Sequence, residues 1–123
     1  MEGRRILFVE DEAPLLALLS EALQDEGFDV TTARTGADAL GMLALAPDYD
    51  AVVSDISMPD GVSGIDLARR ARELQPQARI ILASGLARSQ LPALPDHVTF
   101  LPKPYRLREL LAELAREETT TSR

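Results

Sequence analysis

Cysteine is absent from this 123-residue chain, and histidine occurs once, at His97 beside a Pro-Asp turn. The missing cysteines exclude a disulfide framework and a thiolate metal site. Any ion bound here is therefore expected to take oxygen ligands. Basic residues are also scarce: 13 Lys and Arg stand against 20 Asp and Glu, for a formal net charge of −7. Nucleic acids and anionic membranes both select a basic footprint, so neither is expected as the main partner. A divalent cation or a basic protein surface remains compatible. No apolar run approaches bilayer-spanning length, and the opening MEGRRILFVEDE offers four apolar residues before acid appears, too few for a secretory signal. The default expectation is a cytoplasmic protein.

What is present has the balance of a globular domain, with 46% hydrophobic and 27% charged residues. That length suits one core, and there is no internal repeat or low-complexity linker. Short apolar runs alternate with helix-period stretches. RILFV (Arg5–Val9), FDVTTA, YDAVVSD, ARIILAS and HVTFLP read as five strands. APLLALLSEALQDEG reads as a helix with Pro14 in its first turn and Gly27 as its stop. Its expected inward face is Leu15, Leu18, Leu19, Ala22 and Leu23. TGADALGMLAL follows with Thr35 as N-cap and Leu40 and Leu43 inward, and GIDLARRARELQ follows a Ser63/Asp66 capping box. RLRELLAELAREE closes the pattern with Leu107, Leu110, Leu111 and Leu114 on one face. In GLARSQLPALPD, Pro92 and Pro95 leave room for one or two helical turns at most. The domain is expected over 1–118, with 119–123 a disordered tail.

Strand–helix alternation over the whole length implies a parallel sheet covered on both faces. The expected fold class is therefore α/β, a doubly wound, five-stranded, flavodoxin-like sheet with a short or irregular fourth helix. In such a sheet the carboxyl ends of all strands share one edge, where ligands bind. The first strand ends in Glu10-Asp11-Glu12, the third in Asp55, the fourth in Ser84 and the fifth at Lys103. Clustered carboxylates repel unless a cation sits among them, and oxygen donors favour Mg2+ or Mn2+. Such an ion suits phosphoryl chemistry, in which a carboxylate can be the nucleophile. Lys103 would neutralise phosphoryl oxygens and Ser84 would donate a hydrogen bond to one of them.

ILFVEDEAPL, VVSDISMPDGVSGIDL, IILASG and FLPKPY, in this order and spacing, resemble the receiver domain of two-component response regulators. The resemblance spans essentially the whole chain. It implies that Asp55 is the phosphoacceptor, charged from the phosphohistidine of a histidine kinase or histidine phosphotransfer protein. It implies that Asp11 binds Mg2+ directly, Glu10 through water, and Ser57 through its backbone carbonyl. Ser84 and Phe100 match the switch positions, Lys103 matches the family lysine, and a cis Lys103–Pro104 bond is expected. Ser57 and Leu86 would flank the phosphoryl group and tune the lifetime of the phosphorylated state. The MPDGVSG turn is one residue longer than the common form, resembling receivers attached to hybrid kinases.

Each fragment also has a plainer reading. Glu10-Asp11-Glu12 alone would favour a helix dipole, Asp55 alone would be a turn aspartate, and Ser84 a small residue beside Gly85. Phe100 would be core, His97 exposed, and Arg69, Arg70 and Arg72 a solvated helix face. The alternative function is a degenerate receiver acting as a phosphorylation-independent interaction module, although such a module has no need of the full acid, hydroxyl and lysine set. A phosphoester hydrolase is a further alternative. Phosphatases with an aspartyl nucleophile typically carry a second Asp two residues on, where this chain has Ser57.

Overall fold

In the computed structural model the apolar runs become β1 (Arg5–Val9), β2 (Asp29–Ala33), β3 (Ala51–Asp55), β4 (Arg79–Ser84) and β5 (Val98–Pro102). They form one parallel sheet in the order β2-β1-β3-β4-β5. The structure describes residues 3–45, 48–58 and 61–116. The expected disordered tail at 119–123 lies outside them, as do Pro59 and Asp60 of the MPDGVSG turn.

The strands are apolar almost throughout because both faces of the sheet are covered, and successive side chains point to opposite faces. Leu7, Val9, Val52, Ile80 and Leu82 join Ala39, Leu43, Leu67 and Ala71 from α2 (Gly36–Leu45) and α3 (Gly64–Leu74). Their neighbours in sequence, Ile6, Phe8, Val53 and Ile81, meet Leu16, Leu19, Leu23, Leu110 and Leu114 from α1 (Ala13–Asp25) and α4 (Leu107–Ala115). One sheet thus serves two cores. Among the described residues no helix is long and apolar enough to cross a membrane.

The helix starts follow their local chemistry. Thr35 Oγ1 accepts the Asp38 N–H at 3.0 Å. Ser63 and Asp66 form the reciprocal capping box, at 3.1 and 3.2 Å. In α1 the buried positions are Leu16, Leu19, Ser20 and Leu23, an i, i+3, i+4, i+7 set, whereas Leu18 is 64% exposed. The core face is therefore rotated from the expected one. Leu18 and Ala22 instead line a groove of about 470 Å³ with Pro104, Tyr105 and Leu107, and Leu15 both lines it and packs against the core.

Between β4 and β5 there is a single 3-10 turn, Arg88–Gln90, in place of a full helix. Pro92 and Pro95 cannot donate the backbone bonds that a longer helix needs. Pro102 closes β5, an edge strand. The Lys103 N–H donates to Ser84 O at 2.8 Å, so the alternate position 102 turns its nitrogen to the open edge, where proline costs no ladder bond. At the opposite end of the sheet, buried Arg79 donates to Arg116 O, Thr99 Oγ1 and Glu113 Oε1 at 3.0–3.1 Å, tying α4 to β4 and β5.

Candidate functional site

β1 and β3 are paired in the middle of the sheet, and the strand order reverses between them. Their carboxyl ends therefore bring Glu10, Asp11 and Asp55 together at the topological switch point. One carboxylate oxygen from each lies within 4.8 Å of the others. Lys103, arriving from the end of β5, places Nζ 2.9 Å from Asp55 Oδ1 and 3.5 Å from Glu10 Oε1. The Lys103–Pro104 bond is cis.

The three acids of Glu10-Asp11-Glu12 go to different environments. Glu10 is 2% exposed, and its Oε2 accepts the Glu12 N–H at 3.1 Å. Burial pushes its carboxyl up to about 7; the Asp55 charge adds to this, while the Glu12 N–H and Lys103 oppose it. Burial alone would lower the Lys103 ammonium, but its hydrogen bond and charge interaction with Asp55, followed by those with Glu10, hold it above its ordinary value. The Tyr105 phenol is also raised, first by burial and then by the Asp55 and Glu10 charges. A buried carboxyl within reach of two further carboxylates is short of positive charge. An oxygen-only donor set of this kind fits a hard divalent cation.

Ser84 lies beside Pro102 at the adjoining strand ends, and its Oγ accepts the Leu86 N–H at 3.0 Å. A hydroxyl that accepts one bond keeps its own proton to donate elsewhere. Leu86 is 47% exposed on this rim. Ser57 is exposed two residues beyond Asp55. Phe100 is half-buried and packs against the core that β1, β3 and β4 share with α2 and α3. His97 is exposed, as are Arg69 and Arg70, which stand near Asp66 and Glu73 at 3.9 and 3.7 Å.

Two contributors were not evident from the sequence. A Cβ on Gly64 would stand 2.1 Å from the Asp55 carbonyl oxygen and 2.7 Å from Ile56 Cα. The first residue of α3 must therefore lack a side chain for the helix to press against the Asp55 backbone. The second is Arg34, whose Nη2 donates to Asp11 O at 3.3 Å. The Ser63-Gly64 pair ahead of a capping-box helix was a usable signal for the first; Arg34 had none.

Comparison with known proteins points to one family. The family described as "Response regulator receiver domain" matches residues 6–115. The response regulator receiver protein CpdR of Brucella abortus is 36% identical over 114 residues, covering 90% of this chain and 93% of CpdR. Other relatives, named as transcriptional regulatory proteins, are matched over 46% and 50% of their length. Among solved structures, a response regulator receiver protein from Sinorhizobium medicae superposes with a TM-score of 0.82 at 36% identity, covering 94% of this chain and 98% of that one. The Thermotoga maritima response regulator TrrA, solved in complex with Mg2+ and BeF, gives 0.71 at 36% identity, with 90% and 98% covered.

Proposed function

The chain belongs to the response-regulator receiver family of two-component signal transduction, and we propose that Asp55 is its phosphoacceptor. The observation that carries this reading is the convergence of Asp55, Glu10, Asp11 and Lys103 from three separate strand ends, with Lys103 Nζ 2.9 Å from the proposed nucleophile. The donor is a histidine kinase or histidine phosphotransfer protein. An Asp55 oxygen forms a bond to phosphorus as the phosphorus–nitrogen bond of the phosphohistidine breaks, and the electron pair of that bond leaves on the imidazole nitrogen.

Asp11 and Asp55, with Glu10 through water and the Ser57 carbonyl, would hold Mn2+ or Mg2+; the relative TrrA was solved in complex with Mg2+. Bound there, the ion supplies charge neutralisation for the carboxylates and the transferred phosphoryl oxygens. Lys103 is already aimed at Asp55 and moves little to meet one phosphoryl oxygen. Pairing with it costs less entropy than capture by a free lysine would. Ser84 donates its remaining proton to another oxygen, drawing the Ser84–Leu86 turn toward Asp55. Phe100, half-buried on β5 opposite Leu82, would respond to that shift and carry the change to the surface. Hydrolysis by water restores Asp55, so the domain is a phosphoacceptor and not a catalyst for external substrates.

The test is an NMR titration with beryllofluoride and Mg2+. Resonances around Asp55, Ser84 and Lys103 should shift together and saturate, while Asp55→Asn stays still. Spectra that do not change for the wild type would refute the proposal.

A further inference from the structure

The acidic edge presents a problem for any phosphoryl donor, because the incoming group is an anion. At the carboxyl ends of β1, β2 and β3 the described residues place four carboxylates, Glu10, Asp11, Glu12 and Asp55. The cation placed by β5 is Lys103, already in contact with two of them. On the β2 side the balancing charge is Arg34. Its position is set by two bonds that join the end of β2 to the acidic loop: the Glu10 N–H donates to Ala33 O at 3.0 Å, and Arg34 Nη2 donates to Asp11 O at 3.3 Å. The guanidinium is thus held against the backbone of a proposed metal ligand, although the residue is exposed and contributes nothing to the core. That bond uses one of its five N–H donors.

We propose that Arg34 is the rim residue that receives the incoming phosphoryl anion and lowers the electrostatic barrier to its reaching Asp55. This inference rests on Asp55 being the phosphoacceptor. With a divalent cation bound, the charges of Glu10, Asp11, Asp55 and Lys103 sum with it to zero, leaving Glu12 as a net negative charge at the entrance. Arg34 cancels it. Arg34 therefore acts before bond formation, on the capture of donors carrying a dianionic phosphoryl group. The chemical step is left to Asp55: its oxygen bonds to phosphorus while the phosphorus–oxygen bond of an acyl phosphate breaks, and the electron pair leaves with the acyl carboxylate.

The experiment measures the second-order rate of phosphorylation by acetyl phosphate with saturating Mg2+, for the wild type, Arg34→Lys, Arg34→Gln and Arg34→Ala. Salt is varied from about 0.01 M to about 1 M, a range over which screening shortens from about 30 to about 3 Å. Arg34→Gln and Arg34→Ala should lose about threefold to tenfold at low salt and match the wild type at high salt, with Arg34→Lys retaining most of the rate. Mg2+ affinity, measured separately by calorimetry, should be unchanged or slightly tighter in the charge-free variants. If Arg34→Gln keeps the wild-type rate while Arg34→Ala falls, the residue is only a loop anchor and the inference is overturned. A loss that persists at high salt, or one accompanied by weakened Mg2+ binding, overturns it too. If the wild type itself takes up no phosphoryl group, the phosphoacceptor reading fails first and this one with it.

Discussion

Lys103→Ala separates the two positions that the lysine occupies in the charge balance. In the structure its ammonium bridges Asp55 at 2.9 Å and Glu10 at 3.5 Å. At an effective dielectric of about 20 these contacts amount to about 6 and about 5 kcal/mol of gross attraction. Desolvation of three charged groups cancels most of that, and the lysine side chain is still 26% exposed. The net loss on removing it is therefore expected at about 1–3 kcal/mol, a fall in Tm of roughly 4–12 °C for a chain of this size. The loss should apply to the metal-free protein at about pH 8, where Glu10 is ionised. Mg2+ should then reverse the order of gains. In the wild type the ion must displace a resident ammonium from Asp55, whereas in Lys103→Ala it meets carboxylates with no competitor. Its stabilisation, which grows with ligand concentration over Kd, should be larger in the variant than in the wild type. Differential scanning calorimetry with EDTA and with a Mg2+ series gives both numbers. Equal Mg2+ increments in the two proteins, or no metal-free loss, would refute this reasoning.

The raised Glu10 carboxyl makes a pH prediction. Below about 4.5 it is protonated in both states; between about 4.5 and about 7 the unfolded chain releases the proton while the folded one keeps it, so metal-free stability should fall with rising pH across that window. Because the ion competes with that proton, the Tm increment from Mg2+ should grow between about pH 6 and about pH 8; a flat increment would contradict it. Gly64→Ala forces a methyl group onto the Asp55 carbonyl, at 2.1 Å, and should cost about 1–3 kcal/mol in urea unfolding and slow Asp55 phosphorylation. An unperturbed variant would mean that α3 can slide away freely. Arg79→Met removes three hydrogen bonds at the far end of the sheet and should cost about 2–3 kcal/mol while leaving the phosphorylation rate unchanged; a changed rate would show coupling between the two ends.

The positions of the site residues were legible because each apolar run breaks at a chemically distinct residue. Parallel βα alternation leaves no freedom about which edge those breaks share. Asp55, Lys103 and Ser84 could therefore be placed without contact information, and the paired prolines limited the β4–β5 connection to one 3-10 turn. The buried face of α1 was not legible. Leu15, Leu16, Leu18, Leu19, Ala22 and Leu23 cover so wide an arc that periodicity accommodates two faces, one for the core and one for the groove beside Pro104. Nor does a run of three acids reveal which one is buried; the pairing of β1 with β2 and β3 sends Glu10 down and leaves Glu12 exposed. Gly64 and Arg34 act through contacts with Asp55 and Asp11 across 9 and 23 residues, and the pattern of a single sequence does not encode those separations.

The measurement closest to the central claim is intact-protein mass spectrometry after incubation with acetyl phosphate, with Mg2+ or with EDTA, on the wild type and Asp55→Asn. The account predicts the added mass of one phosphoryl group on the wild type with Mg2+, its loss under the alkaline conditions that hydrolyse acyl phosphates, and no addition to Asp55→Asn or in EDTA. An Asp55→Asn protein that gains the same mass, or a wild type that gains none from any donor, would contradict it.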